Sequence, residues 1–236
     1  MKFSLLNLAA AVMDRRYSSI LLGVLGVLAV NSSSFAATIW NGPTWTVSTA
    51  IPDNDDVGFT DTRNVSIPGM TEIVSVTVNL NFSGGWNGDL YAYLVHGSGF
   101  SVLLNRPGRS TGAPDGSATV GMDITFDDGA FSDIHTAIPM SGGSVNGIYQ
   151  PDGRSTDPLV VLNTDARPAM LSNFIGIDPN GLWTLFVADQ SAGETSTLQS
   201  WSMSITAVPE PGVAAFAILG SGLLLRRRSK SPTSGH

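Results

Sequence analysis

The chain has 236 residues, of which 42% are hydrophobic and only 13% are charged, and it contains no cysteine. The lack of cysteine excludes a disulfide-stapled scaffold, a thiolate metal site and a cysteine nucleophile. The formal net charge of -7 at pH 7 argues against a nucleic acid as the main partner.

Residues 1–36 have the pattern of a secretory signal peptide. Three basic residues, the last of them Arg16, precede an apolar stretch at 20–30 that is too short to span a bilayer. The small residues Ser34 and Ala36 predict cleavage by signal peptidase after Ala36. An uncleaved membrane anchor is the alternative.

A second apolar segment closes the chain, at 208–236. In order it contains Val208, Pro209, Glu210 and Pro211, the apolar residues 212–225, and Arg226, Arg227 and Arg228. The apolar part would form a helix about 21 Å long, shorter than the hydrocarbon core of about 30 Å, so insertion would require snorkelling or local thinning. The arginines are predicted to act as a stop-transfer cluster on the cytoplasmic side, which would leave the preceding body outside.

This order of parts at the C-terminus resembles the PEP-CTERM sorting signal of exported bacterial proteins. The resemblance implies an exosortase-type sorting enzyme as a partner and a short transmembrane helix that holds the precursor in the membrane transiently. It places the product at the cell surface or outside the cell. An ordinary tail anchor is the alternative.

The body between the two signals is strongly acidic. Residues 37–211 contain five arginines, no lysine and 18 acidic residues, which gives a formal charge of -13. A surface of this charge repels nucleic acids and anionic lipids and suits divalent cations, or it keeps an exported protein soluble.

The body is predicted to be all-β, because short alternating segments are separated by Gly-rich turns. The predicted strands are 73–82, 89–95, 100–104, 122–126, 182–188 and 198–205. In the first of them, Val74, Val76, Val78, Leu80 and Phe82 are predicted to share one face. In the last, Gln199, Trp201, Met203 and Ile205 are predicted to face the core. Residues 107–121 and 128–158 are predicted to be long loops, and one β sandwich is predicted over 51–207, after an extension at 37–50.

Six segments in order resemble the proprotein convertase P domain, also called P/Homo B. They are 51–55, 86–90, 103–108, 126–128, 180–185 and 198–202. The resemblance implies a jelly-roll-like sandwich. It also implies a link to proteolysis, because this domain commonly follows and stabilises a subtilisin-like serine endopeptidase domain, which is absent from this sequence.

No catalytic set is recognisable in the sequence, so the chain is predicted not to be an enzyme. The segment from Gly108 to Gly112 matches G-x-S-x-G, but glycine and proline follow it where a nucleophile elbow requires a helix. His96 is predicted to be a solvated turn residue, His135 lies in a polar loop, and His236 lies beyond the sorting signal.

Calcium is the one cofactor that the residues suggest, because Ca²⁺ prefers six to eight oxygen ligands supplied by loops. The candidate ligands are Asp53, Asp55, Asp56, Asp89, Asp127 and Asp128. Some P domains bind calcium, although the resemblance assigns no ligands. The alternative is that these residues only form turns with their own backbone.

Trp86, in a Gly-rich turn, is predicted to be exposed, whereas Trp183 and Trp201 are predicted to pack in the core. Three functions remain open. The first is a non-catalytic surface or matrix protein, the second is an accessory module of a secreted protease, and the third is an exopolysaccharide-binding module.

Overall fold

Two β sheets face each other in the part of the chain that the computed structural model describes, residues 36–209. Residues 1–35, which make up all but the last residue of the predicted signal peptide, lie outside the described residues. So do residues 210–236, which contain most of the predicted sorting signal. Within residues 36–209, no helix is long and apolar enough to cross a membrane.

The strands are β1 (Thr38–Asn41), β2 (Trp45–Ala50), β3 (Asp55–Val65), β4 (Met70–Trp86), β5 (Leu90–His96), β6 (Gly99–Asn105), β7 (Ala118–Phe126), β8 (Ser141–Gly142), β9 (Val145–Tyr149), β10 (Gly181–Asp189) and β11 (Ser196–Pro209). A short helix, α1 (Ile134–Ala137), and two 3₁₀ turns (Asn87–Asp89 and Leu171–Phe174) complete the described elements.

The first sheet contains seven strands in the order β1-β11-β4-β7-β8, with β2 beside β11 and β9 beside β7. The second contains four strands in the order β3-β10-β5-β6. The pairing is antiparallel except where β8 and β9 join β7 in parallel. The predicted all-β sandwich is confirmed.

The core lies between the sheets because alternate residues of the long strands are apolar on one face. Trp183, Trp201, Phe126 and Phe174 are among its largest fully buried side chains. The predicted burial of Trp183 and Trp201 is therefore confirmed. Trp45 of β2 packs on Trp201 with ring centroids 4.5 Å apart.

Two positions predicted to face the core, Val74 and Gln199, do not. Val74 is 42% exposed and Ile73 is buried instead, because a β-bulge places Thr206 opposite Ser75 and the next residue, Ala207, opposite Ile73. A residue left unpaired in this way reverses the alternation for its neighbours.

The same irregularity occurs in β11, where pairing with β4 shifts between Leu198 and Ser200. Leu198 is buried and Gln199 is only half-buried, contrary to the prediction for Gln199.

Regular structure also extends beyond the predicted limits. The predicted extension at 37–50 contains β1 and β2, which both pair with β11. β11 continues to Pro209, so Val208 and Pro209 of the predicted sorting motif pair with Glu72 and Met70 of β4. The predicted loops also contain strands: β7 begins at Ala118, and 128–158 includes β8 and β9.

Candidate functional site

The most unusual polar group lies where two turns meet at one end of the sandwich. Asn87, Asp89, Asp189 and Ser196 are all buried there, and we call these four residues the polar end. The 3₁₀ turn carries the first two, and the end of β10 and the start of β11 carry the others. The backbone N–H of Gln190 donates to the Asp89 carbonyl at 2.8 Å, which joins the two turns.

Glycine is required at Gly88 because the 3₁₀ turn lies directly on a neighbouring loop. Gly88 N–H donates to the Ser117 carbonyl at 2.8 Å, and a Cβ at this position would collide with the backbone N of Ser117. The close approach fixes Asp89 beside Arg106, whose Nε donates to the Gly88 carbonyl at 3.0 Å.

Each member of the polar end has one buried oxygen without a hydrogen-bond partner among the described residues. These atoms are Asn87 Oδ1, Asp89 Oδ2, Asp189 Oδ2 and Ser196 Oγ. Buried oxygens normally find donors, since an unsatisfied group costs about 1–3 kcal/mol. Four of the seven buried side-chain atoms without a partner among the described residues therefore lie in these adjoining turns.

The polar end also contains two acidic side chains whose pKa values are raised, Asp89 and Asp189. Burial, reinforced by the charge of Asp189 and opposed by Arg106, raises the pKa of Asp89 to about 7. Burial and the charge of Asp53 also raise the pKa of Asp189, against hydrogen bonds from the backbone. Two buried carboxylates therefore repel each other, and Arg106, with Nη2 at 3.4 Å from Asp89 Oδ1, balances them only in part.

The arrangement fits Ca²⁺ by its ligand chemistry, which favours carboxylate, amide, hydroxyl and carbonyl oxygens. It is not a complete site made by acidic side chains, because residues 36–209 contain no group of three His, Cys, Asp or Glu arranged to hold a metal. A bound ion would need Asn87, Ser196, backbone carbonyls or water beside Asp89 and Asp189.

The six predicted ligands are not gathered in one place. Asp53 affects the pKa of both Asp89 and Asp189 and is close to them, and Asp55 pairs with Asp189 in the β3–β10 register. The Asp55 side chain accepts from Val57 N–H at 2.8 Å, while Asp56 is exposed.

Asp127 and Asp128 lie at the opposite end of β7. Trp86, just before the polar end, is paired with Val120 of β7, whereas Phe126, just before Asp127, is paired with Val78. The six residues from Val120 to Phe126 place the two ends of β7 about 20 Å apart. Asp127 Oδ1 accepts from Gly129 N–H at 2.8 Å, and Asp128 accepts from Leu171 and Ser172 N–H at the second 3₁₀ turn.

His135 is buried in an ion-pair network that the sequence did not reveal. Its Nδ1 lies 2.7 Å from Asp152 Oδ2, and its Nε2 lies 2.8 Å from the Arg109 carbonyl. Both partners only accept, so both ring nitrogens carry hydrogen when both bonds form. Burial lowers the pKa of His135, but the hydrogen bond and charge of Asp152 outweigh it, and the pKa is raised.

Arg154 completes this network and is also buried. Its guanidinium contacts Asp133 Oδ2 at 2.9 Å and Asp152 Oδ1 at 3.1 Å. The side chain also donates to the Asn163 carbonyl at 2.9 Å. The network therefore holds the segment after β9 against α1 and the loop that follows β6.

His96 is buried rather than solvated, contrary to the prediction. Its ring stacks on Trp183 with centroids 4.1 Å apart and planes 3° apart, and its nitrogens contact the carbonyls of Leu182 and Asp178. In a catalytic triad one histidine nitrogen must face the nucleophile hydroxyl. Among the described residues, every nitrogen of the two histidines contacts a carbonyl or carboxylate oxygen instead.

Ser110, at the centre of the G-x-S-x-G match, lies in a turn. Its backbone forms two hydrogen bonds with Ala113, of 3.0 and 3.1 Å, and the residues that follow directly, 111–117, contain no helix. The strand-turn-helix context of a nucleophile elbow is therefore missing at this position.

Trp86 ends β4 and is 41% exposed, as predicted. Gly193 lies against its ring, since a Cβ there would be 3.4 Å from it. One flank of the indole is therefore covered by the β10–β11 turn.

No protein-family model and no curated protein matches the chain. Solved structures that resemble it include the complex of an Aeromonas sobria serine protease with its chaperone, and the serine protease of Aeromonas sobria. The identities are 16% and 14%, with TM-scores of 0.44 and 0.41. The alignments cover 79% of this chain but only 29% and 30% of the solved chains. At this level of similarity, no activity or site residue is transferred.

Proposed function

We propose that the chain is an exported, non-catalytic P-domain-like module that binds and stabilises a separate secreted subtilisin-like serine protease. The observation that carries the proposal is the placement of the six P-domain-like segments, which are all built into one sandwich. Two of them, at 180–185 and 198–202, supply the buried Trp183 and Trp201. The occupied histidine nitrogens support a role that does not use hydrolysis.

The test has two parts. The full chain is mixed with a secreted subtilisin-like protease that lacks its own P domain, and the half-life of protease activity at elevated temperature is measured. We expect a concentration-dependent increase in half-life, and no peptide hydrolysis by the chain alone. Hydrolysis that disappears in Ser110→Ala, or an unchanged half-life at micromolar concentrations of the chain, would contradict the proposal.

We further propose that the polar end binds Ca²⁺, through Asp89 and Asp189 with Asn87 and Ser196 nearby. The unpartnered oxygens of these four residues support the proposal. A ligand of the folded state adds RT ln(1 + [L]/Kd), about 2.7 kcal/mol at a hundredfold excess over Kd. In urea unfolding, we expect millimolar Ca²⁺ to stabilise the wild type relative to EDTA.

Matched variants locate the ion. Asp89→Asn and Asp189→Asn should lose the calcium effect, whereas Asp127→Asn, at the other end of β7, should retain it. If Asp127→Asn lost the effect and Asp89→Asn kept it, the site would belong to the loop after β7 instead.

A second candidate function is a surface or matrix protein that binds exopolysaccharide, and the exposed Trp86 favours it. Sugar rings stack on exposed aromatic faces, so Trp fluorescence should change during titration with the polysaccharide. An equal response in Trp86→Ala would remove this indole from the binding site.

A further inference from the structure

A cavity of about 600 Å³ opens on the outer face of the second sheet. Its lining includes three aromatic side chains, Tyr91, Tyr93 and Phe186, and three acidic residues, Asp56, Asp157 and Asp189. We call it the aromatic cleft. His96, His135 and Trp86 are not part of its lining.

The aromatic floor follows from strand register. Tyr91 and Tyr93 occupy the outward positions of β5, and Phe186 lies directly opposite Tyr93 on β10. The rings of Tyr93 and Phe186 are stacked, with centroids 4.6 Å apart and planes 13° apart, and Tyr91 meets Phe186 edge-on at 6.2 Å. All three rings remain half-buried and so keep part of their apolar surface exposed.

One wall of the cleft is held in place before any ligand arrives. Asp157 Oδ1 accepts from Leu159 N–H at 2.8 Å. Arg109 donates to the carbonyls of Leu159 and Val161, at 2.6 Å each. A wall braced in this way reduces the ordering cost of binding.

The cleft is negatively charged and contains no cation of its own. Burial, the neighbouring Tyr93 and the charges of Asp152 and Asp157 raise the pKa of Tyr91 to about 12. Asp189 borders the cleft and has a buried carboxylate oxygen without a partner among the described residues. The region 36–209 contains five arginines and no lysine, and each arginine hydrogen-bonds within the chain.

We propose that the aromatic cleft binds an arginine side chain from a basic peptide segment of a partner protein. A guanidinium stacks on aromatic faces and donates two parallel hydrogen bonds to a carboxylate, and both kinds of side chain line the cleft. A neutral sugar could use the rings but would leave the acidic residues without a counter-charge. The inference does not require the partner to be a protease.

The test uses the full chain and a fluorescein-labelled Gly-Arg-Gly-Arg-Gly peptide, read by fluorescence anisotropy in EDTA. EDTA makes the result independent of the calcium proposal. The matched probe replaces both arginines with citrulline, which keeps the shape and removes the charge. We expect the arginine peptide to bind at least about tenfold more tightly, equivalent to 1.4 kcal/mol.

Three variants assign the binding to the cleft. Tyr93→Ala removes an aromatic face. Asp56→Asn removes an exposed charge and, unlike a change at Asp157, breaks no hydrogen bond that braces the wall of the cleft. Tyr93→Ala and Asp56→Asn should each weaken binding at least about fivefold, as expected for the loss of one cation–π or charged contact. Asp123→Asn removes an equal charge from the other sheet and should change binding by less than about twofold.

Three results would overturn the proposal. The first is equal binding of the arginine and citrulline peptides, and the second is equal weakening by Asp56→Asn and Asp123→Asn. The third is the absence of arginine-peptide binding while the neutral oligosaccharide maltohexaose binds in a Tyr93-dependent manner, which would make the cleft a sugar site.

Discussion

At the scale of single residues, Asp89 combines burial with an acidic neighbour. Its pKa is about 7 in the folded chain, against an ordinary value of 3.8. The folded state therefore holds the proton more tightly than the unfolded state between these two values. The free energy of unfolding must fall as pH rises through this window, by at most about 1.4 kcal/mol per pH unit from this group.

We expect urea unfolding in EDTA to show this loss of stability between about pH 4 and 7. Asp89→Asn should flatten the profile over that range, because it removes the titrating group. Millimolar Ca²⁺ should oppose the loss, because the ion binds the deprotonated carboxylate. A wild-type profile that rises steadily from pH 4 to 7 in EDTA would contradict the account of the polar end.

His135 changes stability in the same direction as Asp89, at a higher pH. Its pKa is raised in the folded chain, so its contribution is fully present below the ordinary value of 6.5 and is lost as pH rises through the folded pKa. His135→Asn should lower stability at pH 6 by about 1.5–3 kcal/mol, the range for a hydrogen bond to a charged group. It should also remove the decline above pH 6.5, whereas Asp89→Asn should keep it.

At the scale of elements, β3 approaches β10 too closely at Gly58 for any side chain. Gly58 has φ +59°, and a Cβ there would collide with the carbonyl oxygen of Val187. Gly69 has a comparable φ of +81° but no atom within 4 Å of the same position. Both glycines therefore have a left-handed backbone, but only Gly58 lacks room for a Cβ atom.

Gly69→Ala should cost about 1–2 kcal/mol, the penalty for a left-handed residue with a side chain. Gly58→Ala should cost clearly more, because the strand must also move away from β10. Chemical denaturation of the two variants measures both values. Equal losses would mean that the β3–β10 contact relaxes freely.

At the scale of the whole molecule, the balance of charge is the main electrostatic feature. The formal charge of -13 over 37–211 includes arginines that are already bonded internally, so the surface repels itself. Screening by salt should therefore stabilise the fold. We expect the melting temperature in EDTA to rise between 10 and 200 mM NaCl, since the Debye length falls from about 30 Å to under 10 Å.

Sucrose is the control for this measurement, because it stabilises by exclusion from the surface and does not screen charge. The salt effect should shrink in a variant that combines Asp56→Asn and Asp123→Asn, while the sucrose effect should not. A melting temperature that falls with added NaCl would mean that the buried ion pairs outweigh surface repulsion.

The sequence by itself determined the all-β class, the burial of Trp183 and Trp201 and the exposure of Trp86, because strand alternation and turn residues are local signals. Only the tertiary structure decided that Ile73 and Leu198 face the core, since bulges arise from pairing between strands far apart in the chain. It also brought Asp89 beside Asp189 and enclosed His135 with Asp152. A hundred residues separate the two members of the first pair, and no local pattern encodes such a contact.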